Sequence, residues 1–113
     1  MDDRLPAYLE VAGLMRAVGA EGGFATVIAK GERDAGTLLV ICCENGTNAR
    51  AYERLPRADG TRGWAIAKAQ DMENPREFDE YLDRRKRQDS DLWIVELDIA
   101  NAERFIGLTA SKS

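Results

Sequence analysis

Apolar side chains fall on both sides of the two-residue period in Asp91-Leu92-Trp93-Ile94-Val95-Glu96-Leu97-Asp98, with Leu92 and Ile94 on one face and Trp93, Val95 and Leu97 on the other. That pattern predicts a strand covered on both faces, near the centre of a sheet. Thr37 to Cys43 reads the same way, because Leu38-Leu39-Val40-Ile41-Cys42-Cys43 is apolar without alternation. Phe24 to Ala29 is a further β-rich run, separated from it by Lys30-Gly31-Glu32-Arg33-Asp34-Ala35-Gly36, whose two glycines and aspartate are turn chemistry. Asn45-Gly46 marks a hairpin into Ala49 to Leu55. There Arg50, Tyr52 and Arg54 share a face and neither side is strongly apolar, which predicts an edge strand guarded by charge. Asp59-Gly60 turns the chain into Trp64 to Lys68, completing a β-meander.

Helical spacing takes over at two places. From Leu5 to Ala20, Leu5, Tyr8, Leu9, Ala12 and Met15 recur with an offset set of Val11, Leu14 and Val18, but Gly13 interrupts them. The reading is an extended lead-in through Val11 and a helix from about Ala12 to Glu21, stopped by Gly22-Gly23. Asn74-Pro75-Arg76-Glu77 carries a capping residue, a proline at the first helical position and a glutamate that can reach back. The helix it opens should run to about Gln88, with Phe78, Tyr81 and Leu82 as its apolar stripe. Glu80 with Arg84 and Asp83 with Arg87 are acid-before-base pairs four apart, each worth about 0.3 kcal/mol. Asn101 predicts a last short helix over Ala102 to Leu108, and Thr109 to Ser113 reads as a flexible tail.

These elements predict one α+β domain: a mainly antiparallel sheet of about five strands with two main helices against it and a short C-terminal helix. A length of 113 residues suits one core, and 44% hydrophobic with 32% charged residues describes a soluble globular chain. The formal charge of −4 offers no general attraction to nucleic acid or anionic lipid, no apolar segment approaches the ~20 residues of a membrane span, and Met1-Asp2-Asp3-Arg4 lacks a secretory start. The cytoplasm is the expected compartment. No histidine is present, which removes imidazole zinc sites and every histidine-based acid/base scheme. Adjacent Cys42 and Cys43 point to opposite faces of a strand, so they are expected as reduced, inert core thiols. No cofactor is expected, and a metal, if any, would be a hard ion such as magnesium held by carboxylates.

Three groups could carry chemistry. The Lys30 to Gly36 turn presents Lys30, Arg33 and Asp34, with backbone N–H groups, to a phosphate or carboxylate, or is an ordinary charged β-turn. It is neither a Walker loop nor a dinucleotide fingerprint. Glu96 and Asp98, with Asp91 at the strand start, could act as paired carboxylates; alternatively Glu96 is a structural ion-pair partner of Arg50 or Arg54. Arg84 to Arg87 could meet phosphates of RNA or DNA, or be a solvated helix end favoured by the helix dipole.

Gly31-x-x-Asp34-Ala35-Gly36 after a strand, Tyr81-Leu82-x-Arg84-Arg85 in a late helix, and Asp89-x-Asp91-Leu92-Trp93-Ile94-Val95-Glu96 together resemble domain-of-unknown-function family 1491. The resemblance spans roughly Leu5 to Ile106. It implies a single-domain, soluble, bacterial protein of no established activity, and no functional residue carries over from it.

The leading expectation is a non-catalytic binding or protein-interaction module, a homodimer or bound to another protein, with no membrane or nucleic-acid partner. The alternative is a small enzyme or sensor holding an anionic metabolite through Lys30, Arg33 and Asp34 with Glu96 or Asp98.

Overall fold

The computed structural model describes residues 5–56 and 58–108. The elements run α1 (Ala7–Ala20), β1 (Phe24–Ala29), β2 (Leu38–Glu44), β3 (Thr47–Pro56), β4 (Arg62–Ala69), α2 (Arg76–Gln88), β5 (Trp93–Asp98) and a short 3-10 helix (Ala102–Ile106). The five strands form one sheet in the order β1-β5-β2-β3-β4. β5 pairs antiparallel with β1 and parallel with β2, while β2-β3-β4 is an antiparallel meander. The fold is the expected α+β domain, with a mixed sheet.

Both faces of the sheet are covered, which is why β2 is an unbroken apolar run and β5 carries apolar side chains on both faces. Leu38, Val40 and Cys42 with Trp93, Val95 and Leu97 pack under α1 and the 3-10 helix, through Ala7, Val11, Val18, Ala102 and Ile106. Leu39, Ile41 and Cys43 with Leu92 and Ile94 pack under α2, through Phe78 and Leu82. β2 is the central strand and β5 its interior neighbour, in keeping with the expectation that Asp91–Asp98 lies near the centre of the sheet.

A correction concerns β3, which lies inside the sheet, while β4 forms the edge on that side. The charges on β3 are not an edge guard, because each meets a carboxylate from the layer above. Arg50 Nε is 2.5 Å from Glu103 Oε2, and Arg54 takes Glu10 through both Nη atoms.

α1 starts five residues before its predicted onset. Gly13 lies within it with open space around its Cα, and the helix tolerates it at a modest propensity cost. No side chain caps α1. Instead the N–H groups of Ala7 and Tyr8 donate to the carbonyls of Asp34 and Arg33, each at 3.0 Å. The 31–37 loop thus satisfies helix donors that a local cap would otherwise have to meet.

α2 likewise has no side-chain cap, and Pro75 rather than Asn74 precedes its first residue. Its charges act across the fold as well as along it: Asp83 pairs with Lys86 three positions on, and Arg85 reaches Glu53 on β3 and the Tyr81 hydroxyl. Asn101 precedes the 3-10 helix in a left-handed conformation (φ 55°) without capping it. The predicted tail 109–113 lies outside the described residues.

Cys42 and Cys43 are free and buried on opposite faces. Burial, reinforced by Glu103 for Cys42 and by Glu96 and Asp98 for Cys43, pushes each thiol up to about 12. At pH 8 roughly one thiol in ten thousand is then ionised. Iodoacetamide at that pH is expected to leave both unmodified in the native protein and to alkylate both in denaturant; rapid native labelling would show that the strands open.

Candidate functional site

At one end of the sheet the loop between β1 and β2 folds onto the start of β5. Glu32 shapes it. Its Oε1 accepts from the N–H of Asp34 (2.9 Å) and of Ala35 (2.5 Å), its backbone N–H donates to Asp91 O (3.1 Å), and its carbonyl accepts from the Trp93 indole (2.7 Å). With the loop fixed from below by Trp93 and from above by α1, its second half forms one wall of a cleft.

Leu5, Pro6 and Glu10 of the α1 region, Asp34 to Thr37 of the loop, Arg54 of β3 and Arg62 of β4 enclose about 250 Å³. Glu10 Oε1 lies 2.9 Å from Arg54 Nη2, and the Arg54 guanidinium sits 4.9 Å from the centre of the Trp64 ring. Two buried donors in this wall, Arg54 Nε and Arg62 Nη1, have no hydrogen-bond partner among the described residues. A buried unsatisfied donor costs about 1–3 kcal/mol, more when charged, so such atoms mark places where an acceptor is wanted.

A larger cleft of about 390 Å³ opens at the other end of the sheet, between Glu44, Asn45, Thr47, Asn48, Arg50, Ile99, Asn101 and Glu103. Its charged groups satisfy one another. Glu103 Oε2 accepts from Arg50 Nε (2.5 Å) and from the Tyr52 hydroxyl (2.9 Å), and Arg50 Nη1 donates to the Asn48 carbonyl. Burial opposes the Glu103 charge, yet the hydrogen bonds from Arg50 and Tyr52 outweigh it and hold the carboxyl below its ordinary value. Burial and Glu103 together push the Tyr52 phenol up to about 12. The larger cleft is therefore a closed network, and the smaller one is the better candidate.

The residues singled out from sequence are dispersed. Asp34 lines the small cleft, and its carboxylate lies 3.9 Å from Arg33 Nε at the surface. Arg33 stacks over Tyr8, with its guanidinium carbon 3.8 Å from the ring centre. Lys30 is exposed. Glu96 lies on the α2 face, paired across the strands with Thr26 and Ile41, where it helps to push the Cys43 thiol up. Arg50 and Arg54 are on the opposite face, engaged by Glu103 and Glu10, so the expected Glu96–arginine pair does not form. Asp98 caps the β2–β3 turn through the N–H groups of Asn45 (2.6 Å) and Gly46 (3.0 Å). Along the sequence Arg54 shows only as an edge charge, and Arg62 carries no signal, since nothing local shows that a strand-start arginine closes a cleft formed by α1 and a loop.

The fold and the cleft define a small α+β domain with an arginine-lined pocket beside a helix start. The chain belongs to the family described as protein of unknown function (DUF1491), which matches residues 5–107. Its structure is similar to the crystal structure of a DUF1491 family protein from Caulobacter crescentus CB15, at 30% identity and a TM-score of 0.79 over 96% of this chain and 100% of that one. The NMR structure of a DUF1491 family protein from the same organism gives 31% identity and a TM-score of 0.76, over 96% and 97% of the two chains. The solution structure of protein Atu0922 from A. tumefaciens gives 27% identity and 0.71, over 97% and 98%. A search of curated proteins finds no match.

Proposed function

We propose that this protein is a non-catalytic binding module that takes a small anion into the cleft between α1, the 34–37 loop and the Arg54–Arg62 wall. The observation that carries the reading is the pair of buried guanidinium donors, Arg54 Nε and Arg62 Nη1, without partners among the described residues. Arginine N–H groups are strong, permanently charged donors suited to carboxylate and phosphate oxygens. A binding role is also favoured by the high thiol pKa values, which leave Cys42 and Cys43 poor nucleophiles. The setting we infer is the bacterial cytoplasm, supported by the bacterial relatives and the free thiols.

Arg62→Met keeps the aliphatic stem and removes the donors. Isothermal titration with small carboxylates and phosphates is expected to show wild-type binding weakened at least tenfold in the variant, roughly the size of one lost charge-assisted hydrogen bond. The melting temperature should hold or rise, since an orphaned buried donor is gone. A variant that melts lower and binds unchanged would make Arg62 structural and the reading wrong.

A protein-interaction role has its own support. Leu5, Leu9, Leu14, Trp64 and Phe105 border an apolar groove of about 370 Å³, and Ile66 on the β4 edge is 55% exposed. Light scattering that finds a dimer, with these positions protected from exchange, would favour that reading; a strict monomer would count against it.

A further inference from the structure

We infer that the anion taken by the Arg54–Arg62 cleft is the carboxylate of a small organic acid and not a phosphate or sulfate; the inference rests on the binding reading above. Charge is the first reason. The wall carries Arg54 and Arg62 against Glu10 and Asp34, and Glu10 engages both Nη atoms of Arg54. At most one positive charge is left uncompensated. A monocarboxylate matches it, whereas a dianion would bring excess negative charge beside Glu10 in a partly desolvated place.

Donor supply is the second reason. Phosphate sites in proteins draw on runs of backbone N–H groups, either in loop nests or at helix starts. Here both sources are largely consumed. The N–H groups of Asp34 and Ala35 are held by Glu32 Oε1, those of Ala7 and Tyr8 by the loop carbonyls, and those of Leu9 and Glu10 by the Pro6 carbonyl. Two buried guanidinium donors, Arg54 Nε and Arg62 Nη1, are without partners among the described residues, and two acceptor oxygens are what a carboxylate offers. The further oxygens of a phosphate would lie beside the Glu10 and Asp34 carboxylates of the same wall.

Size and lining give the third reason. About 250 Å³ falls below the range of pockets for drug-sized ligands, and Leu5, Pro6 and Ala35 supply apolar wall for a short carbon chain beyond the carboxylate.

The test is titration of the full chain, followed by NMR or calorimetry at fixed ionic strength, with acetate, propionate and butyrate against phosphate and sulfate. Carboxylates are expected to bind at least tenfold tighter than either inorganic anion, with affinity rising from acetate to butyrate. In Glu10→Gln and Asp34→Asn variants, the second at an exposed position that spares the fold, removing a wall carboxylate should shrink that preference. Phosphate or sulfate binding as tightly as butyrate in the wild type would overturn the carboxylate assignment and leave the anion cleft standing. No binding by any of the five would overturn both.

Discussion

Gly31→Ala is expected to destabilise the protein by about 3 kcal/mol or more, seen as a shift in the urea midpoint at unchanged slope. A Cβ there would overlap the Asp91 carbonyl oxygen and lie 2.6 Å from the carbonyl carbons of Asp91 and Leu92. These are backbone atoms at the start of β5 and cannot swing aside. Gly36 is in the same position, since a methyl group on its Cα would stand 2.5 Å from Asp91 O and 2.6 Å from Glu32 O, and Gly36→Ala should behave alike. Gly13→Ala is the internal control: nothing lies within 4 Å, and in mid-helix alanine is favoured by about 0.5–1 kcal/mol, so this variant should be more stable. The contrast has a functional reading too. Gly31 and Gly36 let the loop press onto Asp91 and Trp93, and that approach brings Asp34 to Thr37 to the cleft.

Glu103→Ala should cost about 2 kcal/mol at neutral pH, because it strands a 21%-exposed Arg50 and the Tyr52 hydroxyl together. Its pH dependence follows from the lowered carboxyl. A glutamate is near 4.3 when unfolded, and Glu103 lies lower when folded. Its contribution is therefore complete above the ordinary glutamate range and fades as pH falls through the lowered value. The stability gap between wild type and Glu103→Gln should accordingly be widest near neutrality and narrow in acid. A gap that does not change with pH would show that Glu103 acts by shape alone.

Much of the fold is legible in the chain. β2 and β5 are recognisable as twice-covered strands from apolar runs that leave no polar face, and α2 from its proline and stripe. Strand order is another matter. β5 joins β2 in parallel after a crossover through β3, β4 and α2, and both strands are apolar on both faces, so strand order rests on pairings distant in sequence. The place of β3 is hidden because its arginines are balanced by Glu10 and Glu103, 44 and 53 residues away. The α1 start is obscured for the same reason, its donors being met by a loop some 26 residues on.

The candidate site is legible by half. The 30–36 turn does reach a cleft, but through Asp34 and Gly36, while Lys30 and Arg33 lie at the surface and Glu96 faces the other layer. Spacing along a strand shows which face a charge occupies; it does not show which charges will find partners. Arg62 matters because its Nη1 does not, and that is a property of the assembled fold.

The most direct test of the anion cleft is an NMR titration of the wild-type protein with butyrate, following arginine Nε–Hε and backbone amide resonances together. Saturable shifts confined to Arg54, Arg62, Glu10 and the 34–37 loop are the expected result. Shifts centred on Arg50, Asn101 and Glu103, or none that saturate, would contradict it.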